Sequence, residues 1–485
     1  GSYIKLEKAG SNYKARCPFH NEKTPSFFVS PSRNSFYCFG CQAKGDIFSF
    51  VEQFEGLDFV GALKVLAGRA GVELVRENPA AKSEKDRLYR VLDVTTEFFE
   101  KSLISDAEAK SYLEKRGVKE GTIKDWRLGF APDDWRALHD ELIKRGFKTD
   151  EMLKAGLVKK SETGTGFYDI FRGRIMFPIF DSSDRVIGFS GRLLPRLDDG
   201  KMGKYINSPE TILFNKSRVL YGLHKAKFDI RKRDYSIVVE GQMDLIMSHQ
   251  AGFTNTVAVS GTALTGHEVS ENRKPDFLMK AGGFTETINV SVVKDAIGIL
   301  KRLSDNVKFA FDSDDAGFRA AQKAAIAALQ LGMDVKMAEI KGGKDAADII
   351  LETPAKWAEI IKNSKHVIDF SLETLLEKKL EPRKLGKEIV TLVLPYVKAL
   401  QSAVDQSHFI TKIFQVTKIK EEALWSELKQ IASFIGEGQP EATERPALSR
   451  DSKFNWQNSI ERKILSVLYW QEGKTKPTVS IVDIR

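Results

Sequence analysis

Apolar and polar positions along this chain follow several different rhythms. In DYSIVVEG (234–241), TVAVSG (256–261), KFAFDSDDAG (308–317) and DVKMAEIKGGKDAADII (334–350), short apolar runs stop at Gly or acidic residues, with helical segments between them. Fully apolar strands alternating with helices predict a parallel α/β sheet. Near the amino end, SFFVSPSRNSFYCF (26–39) reads as two β-rich runs around a Ser-Pro-Ser-Arg-Asn turn, which predicts a hairpin. In 43–74, apolar residues recur at helical spacing, so two short helices should pack on that hairpin. RIMFPIF (174–180) predicts a buried strand. From 351 to 435, amphipathic spacing predicts a small helical bundle packed on the sheet.

Polar, pattern-free stretches punctuate these regions. RENPAAKSEKDR (76–87) and GEGQPEATERPALSRDSK (436–453) read as linkers. The expected organisation is therefore 1–75, a linker at 76–87, 88–235, 236–350, 351–435, a second linker at 436–453, and 454–485, where a new helix opens. No internal repeat is evident. The 485 residues, 42% of them apolar, suffice for several cores. No apolar run approaches the ~18 residues that a membrane-spanning helix needs, and no signal-peptide pattern opens the chain. The Gly-Ser start, inside what reads as a structured segment, suggests a fragment.

Charge sharpens the picture. The net charge is +9, and Arg172–Tyr235 alone holds 14 Lys+Arg against 7 Asp+Glu. Such a cluster suits either a solvated surface or a groove that tracks nucleic-acid phosphates. Arg172 and Arg174 lie in it, with a salt bridge or exposed charge as their plain alternative.

All three cysteines fall within 25 residues, as Cys17-x2-His20 and, 17 residues on, Cys38-x2-Cys41. Two close pairs on tight turns, joined by a hairpin, supply the tetrahedral ligands of a structural zinc ion, Zn2+. With no disulfide framework, a reducing, cytoplasmic setting is expected. Phe27, Phe28, Phe36, Tyr37 and Phe39 crowd the hairpin; some must form its core, others are free to stack on unpaired bases, with Lys23 and Arg33 near phosphates.

The α/β strands end in acids: Glu240, Asp312, Asp314, Asp345 and Asp348. Ligands of such sheets sit beyond the carboxyl strand ends. Carboxylates gathered there repel one another unless a hard cation joins them, so Mg2+ or Mn2+ and metal-assisted phosphoryl or nucleotidyl transfer are expected. The plain alternative makes each Asp a helix N-cap.

CPFHNEKTPSF…FYCFGC followed by GDIFSFV resembles the zinc-binding domain of DnaG-type bacterial primases. VVEG…SGTALT…FDSDDAG…GKDAAD resembles their TOPRIM fold, and YLEKRGV, WRLGFAP, FRGRIMFPIFDSSDRVIGFSGRLL and KYINSPETILFNKSRVLYGLHKA resemble the basic half of their catalytic core. The resemblance implies a multidomain α+β and α/β chain: zinc ribbon, mixed α+β basic subdomain, TOPRIM parallel sheet and C-terminal helical bundle. It implies a DNA-directed RNA polymerase that makes short RNA primers on single-stranded DNA from nucleoside triphosphates, with catalytic Glu240, Asp312 and Asp314. It also implies that Arg116, Arg192, Lys204, Tyr205, Asn207 and Lys216 bind template and nucleotide, and that the zinc unit reads the template. Residues 454–485 resemble the start of a domain that binds the replicative helicase. A monomer without membrane contact is expected.

Departures accompany the resemblance. Ala346 replaces the usual Pro, and Ser313 stands where many relatives have Gly. Residues 266–290 are an insertion, expected as a surface excursion near the active-site edge. His249 and His267 lie around it and are not counted as ligands. A TOPRIM topoisomerase, a helicase-fused primase, a repair scaffold and a nuclease are the rival readings; no GxxxxGK[ST] is present for a fused helicase.

Overall fold

The computed structural model describes residues 3–20, 22, 24–55, 57, 59–70, 79–161, 164, 166–198, 200, 202–216, 219–259, 277–281, 284–288, 290–311, 315–340 and 345–431, except the side chains of 59–60, 79–83, 277–295 and 315–319. Two compact units, Gly1–Ile435 and Gly436–Arg485, divide the chain. The second lies outside the described residues, and with it the linker expected at 436–453 and the segment 454–485.

The chain opens with a five-stranded antiparallel sheet in chain order: β1 (Glu7–Ala9), β2 (Asn12–Ala15), β3 (Phe27–Ser30), β4 (Ser35–Cys38) and β5 (Lys44–Gly45). The predicted hairpin is β3–β4. Its register sets Phe27 opposite Cys38 and Phe28 opposite Tyr37. Side chains alternate across a strand, so this register sorts the aromatics. Phe27 and Phe36 are buried, whereas Tyr37 and Phe39 are exposed, Phe39 to 69%. Helix α1 (Ile47–Glu55) covers the inner face with Phe50, whose ring contacts Phe19, Phe27 and Phe36, and α2 (Phe59–Ala70) follows.

Residues 79–87, expected as linker, instead begin the long helix α3 (Pro79–Ser105). Pro79 suits a first helical position and the following residues are good helix formers. Tertiary contacts extend the helix: Arg87 pairs with Glu151, and Lys154 with Glu84 at 2.7 Å. Helices α4 (Ala107–Lys115) and α5 (Glu120–Asp125) lead to β6 (Gly129–Ala131), then α6 (Ala137–Lys144), α7 (Thr149–Lys154), and the paired strands β7 (Val158–Lys160) and β8 (Phe167–Asp169). Strands β9 (Arg174–Phe180), β10 (Val186–Leu193) and β11 (Tyr205–Asn207) complete an antiparallel sheet of order β11-β10-β9-β6. β9 is the RIMFPIF run and is buried almost throughout. It tolerates Pro178 because β6 pairs only with Arg174–Met176, so the missing N–H faces no neighbour.

Helix α8 (Leu223–Arg233) leads into the predicted parallel sheet. Its strands are β12 (Ser236–Val239), β13 (Thr256–Ala258), β16 (Asn306–Phe309), β17 (Asp334–Met337) and β18 (Lys365–His366), once β14 (Phe277–Ala281) and β15 (Phe284–Ile288) are counted in chain order. The order is β13-β12-β16-β17-β18, parallel except for β18. Helices α9 (Gln242–Gln250), α10 (Val290–Lys301), α11 (Asp315–Gln330), α12 (Ala346–Glu352) and α13 (Pro354–Lys362) alternate with these strands. Within the insertion, β14 and β15 form an antiparallel hairpin, with Ala281 opposite Phe284. Gly282-Gly283 between two β-rich runs is the two-residue hairpin signal that the sequence reading passed over. Residues 260–276 lie outside the described residues.

The carboxyl-terminal part of this unit is helical: α14 (Val367–Glu377), α15 (Pro382–Glu388), a π turn at Ile389–Val393, α16 (Leu394–Ala399), α17 (Ala403–Thr417) and α18 (Glu421–Ile431). Pro395 follows the π turn and has no N–H for a regular ladder, a common cause of such a bulge. α16 lies against α11, which joins these helices to the sheet. At the other end, α1 seats the small ribbon on α8. Lys227 donates to Glu55 at 3.1 Å and to the Ser182 carbonyl at 3.0 Å, Arg231 donates to the Gln53 carbonyl, and Phe54 meets Phe228.

Candidate functional site

Two tight turns bring the predicted zinc ligands together. The ligand atoms of Cys17, His20, Cys38 and Cys41 all lie within 4.8 Å of one another. Cys17 and Cys41 Sγ are 3.8 Å apart, and Cys38 Sγ is 3.7 Å from His20 Nδ1. Zinc–sulfur bonds of about 2.3 Å in a tetrahedron require sulfur–sulfur edges of about 3.8 Å, so the set fits the ion. Around the set, Gly40 leaves room for the imidazole: a Cβ there would stand 2.5 Å from His20 Nε2. Burial pushes the Cys17 thiol far up, whereas Cys38, despite its burial, is held below its ordinary value by the Ser26 hydroxyl and neighbouring amides. Glu22 is the residue that the sequence reading missed. It accepts the Cys17 and Ser26 amides and lies 3.2 Å from His20 Nε2, leaving Nδ1 toward the sulfurs.

The second site forms where the parallel sheet meets the basic sheet. β12 and β16 are parallel neighbours, so their carboxyl ends share one edge. Glu240 leaves β12 at this edge and is half-buried. Asp312 and Asp314, one and three residues beyond Phe311 in the chain, lie outside the described residues. Asp345 caps α12 by accepting the Asp348 amide at 2.7 Å. Its other oxygen accepts Arg116 Nη2 at 3.1 Å, and Asp348 Oδ1 accepts Arg116 Nη1 at 3.0 Å. Burial alone would lower the Arg116 pKa, but Asp345 and Asp348 hold it above its ordinary value.

Arg116 stands at the carboxyl end of α4, and the turn after it is fastened to the parallel sheet. Gly117 has φ 78, the left-handed region that favours Gly, and a Cβ there would press on the end of the Leu351 side chain at 2.4 Å. Gln250 donates to the Gly117 carbonyl at 2.9 Å and accepts the Lys119 amide at 2.9 Å and the Thr122 hydroxyl at 2.8 Å.

On the basic sheet, Arg192 lies opposite Tyr205 and Ser190 opposite Asn207, so all four share one face. Arg192 donates to the Tyr205 hydroxyl at 2.7 Å and lies over the rings of Tyr112 and Tyr205. Burial raises the Tyr205 pKa, with Arg192 opposing. This face looks at the parallel sheet, because Gln242 at the start of α9 donates to Ser190 Oγ at 2.8 Å. Lys204 is exposed one residue before Tyr205, and the Lys216 amide donates to Glu210 at 2.7 Å on the following loop. Arg174 is 4% exposed and donates to the carbonyls of Gly191, Gly203 and Lys204, so it fastens the β10–β11 connection. Arg172 stacks on Trp135, 3.9 Å from the ring centre.

Asp244 and Gln242 also escaped the sequence reading. Buried Asp244 accepts the Gly241 amide at 3.1 Å and the Ala347 amide at 3.0 Å, tying the exit of β12 to the first turn of α12. Its place three residues after Gly241 is capping-box spacing, a signal available in the sequence. His249 is no ligand candidate here: its Nε2 meets the Thr256 carbonyl at 2.8 Å. His267 lies outside the described residues.

Comparison with known proteins agrees with this architecture. Residues 1–82 match the CHC2 zinc finger family, 98–227 the N-terminal domain of the DNA primase catalytic core, and 234–339 the Toprim domain. A DNA primase of Clostridium acetobutylicum is 33% identical over 435 residues, covering 87% of this chain and 66% of that protein. One of Halalkalibacterium halodurans is 33% identical over 446 residues, covering 89% and 68%. This chain thus spans about two thirds of the length of these curated relatives. Among solved structures, the zinc-binding and RNA polymerase domains of Aquifex aeolicus primase align with a TM-score of 0.57 at 30% identity, over 88% of this chain and 95% of that one. A DnaG primase catalytic domain bound to single-stranded DNA aligns at 0.55 and 27% identity, over 70% and 99%. By its zinc centre, its two-sheet core and these relatives, the chain belongs to the DNA primase family.

Proposed function

We propose that this chain is a DNA primase: a DNA-directed RNA polymerase that starts short RNA chains without a primer on single-stranded DNA and releases pyrophosphate. One observation carries the reading. The face bearing Arg192, Tyr205 and Asn207 is joined through Gln242 and Ser190 to the edge of the parallel sheet where Glu240 leaves β12, so a basic face and an acidic edge meet at one seam. The related catalytic domain bound to single-stranded DNA supports it.

Glu240, Asp312, Asp314 and Asp345 would hold Mg2+ or Mn2+. Bound there, the cations would neutralise the triphosphate and activate the 3′-hydroxyl for in-line attack on the α-phosphate. Arg116 and Arg192, both anchored by partners, present fixed positive charge to the phosphates at little reorganisation cost. Asn207, Lys204 and Lys216 extend this surface toward template and nucleotide. Tyr205 orients Arg192 through its hydroxyl. On the ribbon, Phe28, Tyr37 and Phe39 lie on the outer face, where Lys14 stands opposite Phe28 and Lys44 opposite Tyr37. Aromatics flanked by lysines suit the stacking of unpaired template bases. Segment 454–485 would begin a contact with the replicative helicase, and the chain would act as a cytoplasmic monomer.

The test is unprimed RNA synthesis from single-stranded DNA, labelled nucleoside triphosphates and Mg2+, with Asp312→Ala beside the wild type. Short RNA from wild type alone supports the reading. RNA from both would refute the acid assignment, and DNA cleavage without RNA would favour a nuclease.

A further inference from the structure

Asp348 sits where a metal ligand is expected from the sequence, yet its oxygen is engaged by an arginine. Arg116 forks across Asp345 and Asp348, the N-cap and an early residue of one helix, from 229 and 232 residues away. A planar guanidinium held at both Nη atoms has its orientation set, which a lysine in its place would not. Its Nε is buried and has no hydrogen-bond partner among the described residues. The turn that carries it is itself fastened by Gln250 and by the close fit of Gly117 on Leu351. The chain therefore fixes the guanidinium through two carboxylates and the turn that follows it through Gln250, at the end of the acidic edge that faces the basic sheet.

We propose that Asp348 is a positioning residue: with Asp345 it orients Arg116 toward a substrate phosphate, and it does not hold the catalytic cation. Asp345 gives Oδ1 to the Asp348 amide and Oδ2 to Arg116, whereas Asp348 gives Arg116 its Oδ1 alone, so Mn2+ binding by the Asp348 variant is the deciding measurement. Asp348 lies one helical turn further along, with its Oδ1 on Arg116. This inference rests on the primase reading above, which assigns the site its phosphate substrate.

The experiment uses the intact, zinc-loaded chain carrying Asp348→Asn, Arg116→Gln, both together, or Asp312→Ala. Mn2+ binding is followed by electron paramagnetic resonance without substrate. The KM for nucleoside triphosphates, kcat, and the Kd for single-stranded DNA are then measured. Asp348→Asn should keep Mn2+ affinity within about twofold and raise that KM or Kd about tenfold with kcat little changed, the size expected for one charge-assisted contact. The double variant should be no worse than Arg116→Gln alone. Asp312→Ala should lose Mn2+. A tenfold loss of Mn2+ affinity in Asp348→Asn would overturn the proposal by making Asp348 a ligand. Unchanged KM and Kd would overturn it by making the bond merely structural. If wild type makes no RNA, the primase reading fails by itself, while Mn2+ binding and DNA affinity still decide the role of Asp348.

Discussion

Gln242 donates to the Ser190 hydroxyl at 2.8 Å, and both side chains are buried. Gln242 opens α9 beside Glu240, and Ser190 shares a face with Arg192, so this bond holds the acids and cations in register. Gln242→Leu would leave the Ser190 hydroxyl buried without this donor, at a cost of about 1–3 kcal/mol. Urea unfolding should show a lower midpoint with unchanged slope, and primer synthesis should fall. A midpoint equal to wild type would mean the two sheets are held elsewhere.

Removing zinc should unfold the ribbon and leave the rest folded. The ribbon's core is only a few aromatics around the ligands, too small to stand alone, so metal and fold are coupled. Chelation, or Cys38→Ser, should expose residues 3–55 to protease while a fragment beginning near α3 persists. Joint loss of the core fragment would show that α1 on α8 supports more than the ribbon.

The two faces of the hairpin should answer differently to truncation. Phe39→Ala or Tyr37→Ala removes exposed rings and should weaken template binding by about 1–3 kcal/mol each without lowering stability. Phe27→Ala should destabilise the ribbon by about 3–5 kcal/mol, because that ring is fully buried. Fluorescence anisotropy of labelled single-stranded DNA and thermal unfolding separate the two. Equal template affinity in the Phe39 and Tyr37 variants would place template reading elsewhere.

His224 and His249 line a cleft of about 740 Å³ beside Trp126, Phe180 and Phe228. Burial pushes the pKa of His224 down to about 3 and that of His249 to about 4, with Lys225 adding to both. The unfolded chain binds these protons near pH 6.5, the folded chain only near 3 to 4. They therefore cost the fold nothing above about pH 6.5 and destabilise it as pH falls toward 4, by up to about 1.4 kcal/mol per pH unit for each histidine. His224→Gln should flatten the fall of unfolding free energy between about pH 6 and 4.5 relative to wild type. An identical slope would show that His224 is protonated in the folded chain.

What could be read from sequence was local. The zinc ligands lie within 25 residues, and two short-range pairs joined by a hairpin leave little choice of partner. The apolar runs of β12, β16 and β17 predict a parallel sheet because strands covered on both faces have no polar alternation to keep. The basic excess of 172–235 marks the surface that carries Arg192. Pairings between distant segments were decided only in three dimensions. The two faces of the ribbon depend on register, since a shift of one residue would exchange Phe27 with Phe28. Residues 79–87 read as linker because their polar composition is that of either state, and α7 decides for helix through Glu151 and Lys154. Arg174 lies in a basic run but is buried on three carbonyls. Asp348 reads as one more acid at a strand end, and only the folding of α4 against α12 gives it Arg116. Local pattern sets which segments become strands, helices and metal turns, because those choices are settled within a few residues. The roles of single charged groups depend on what the fold brings opposite them across hundreds of residues, and no local pattern encodes that.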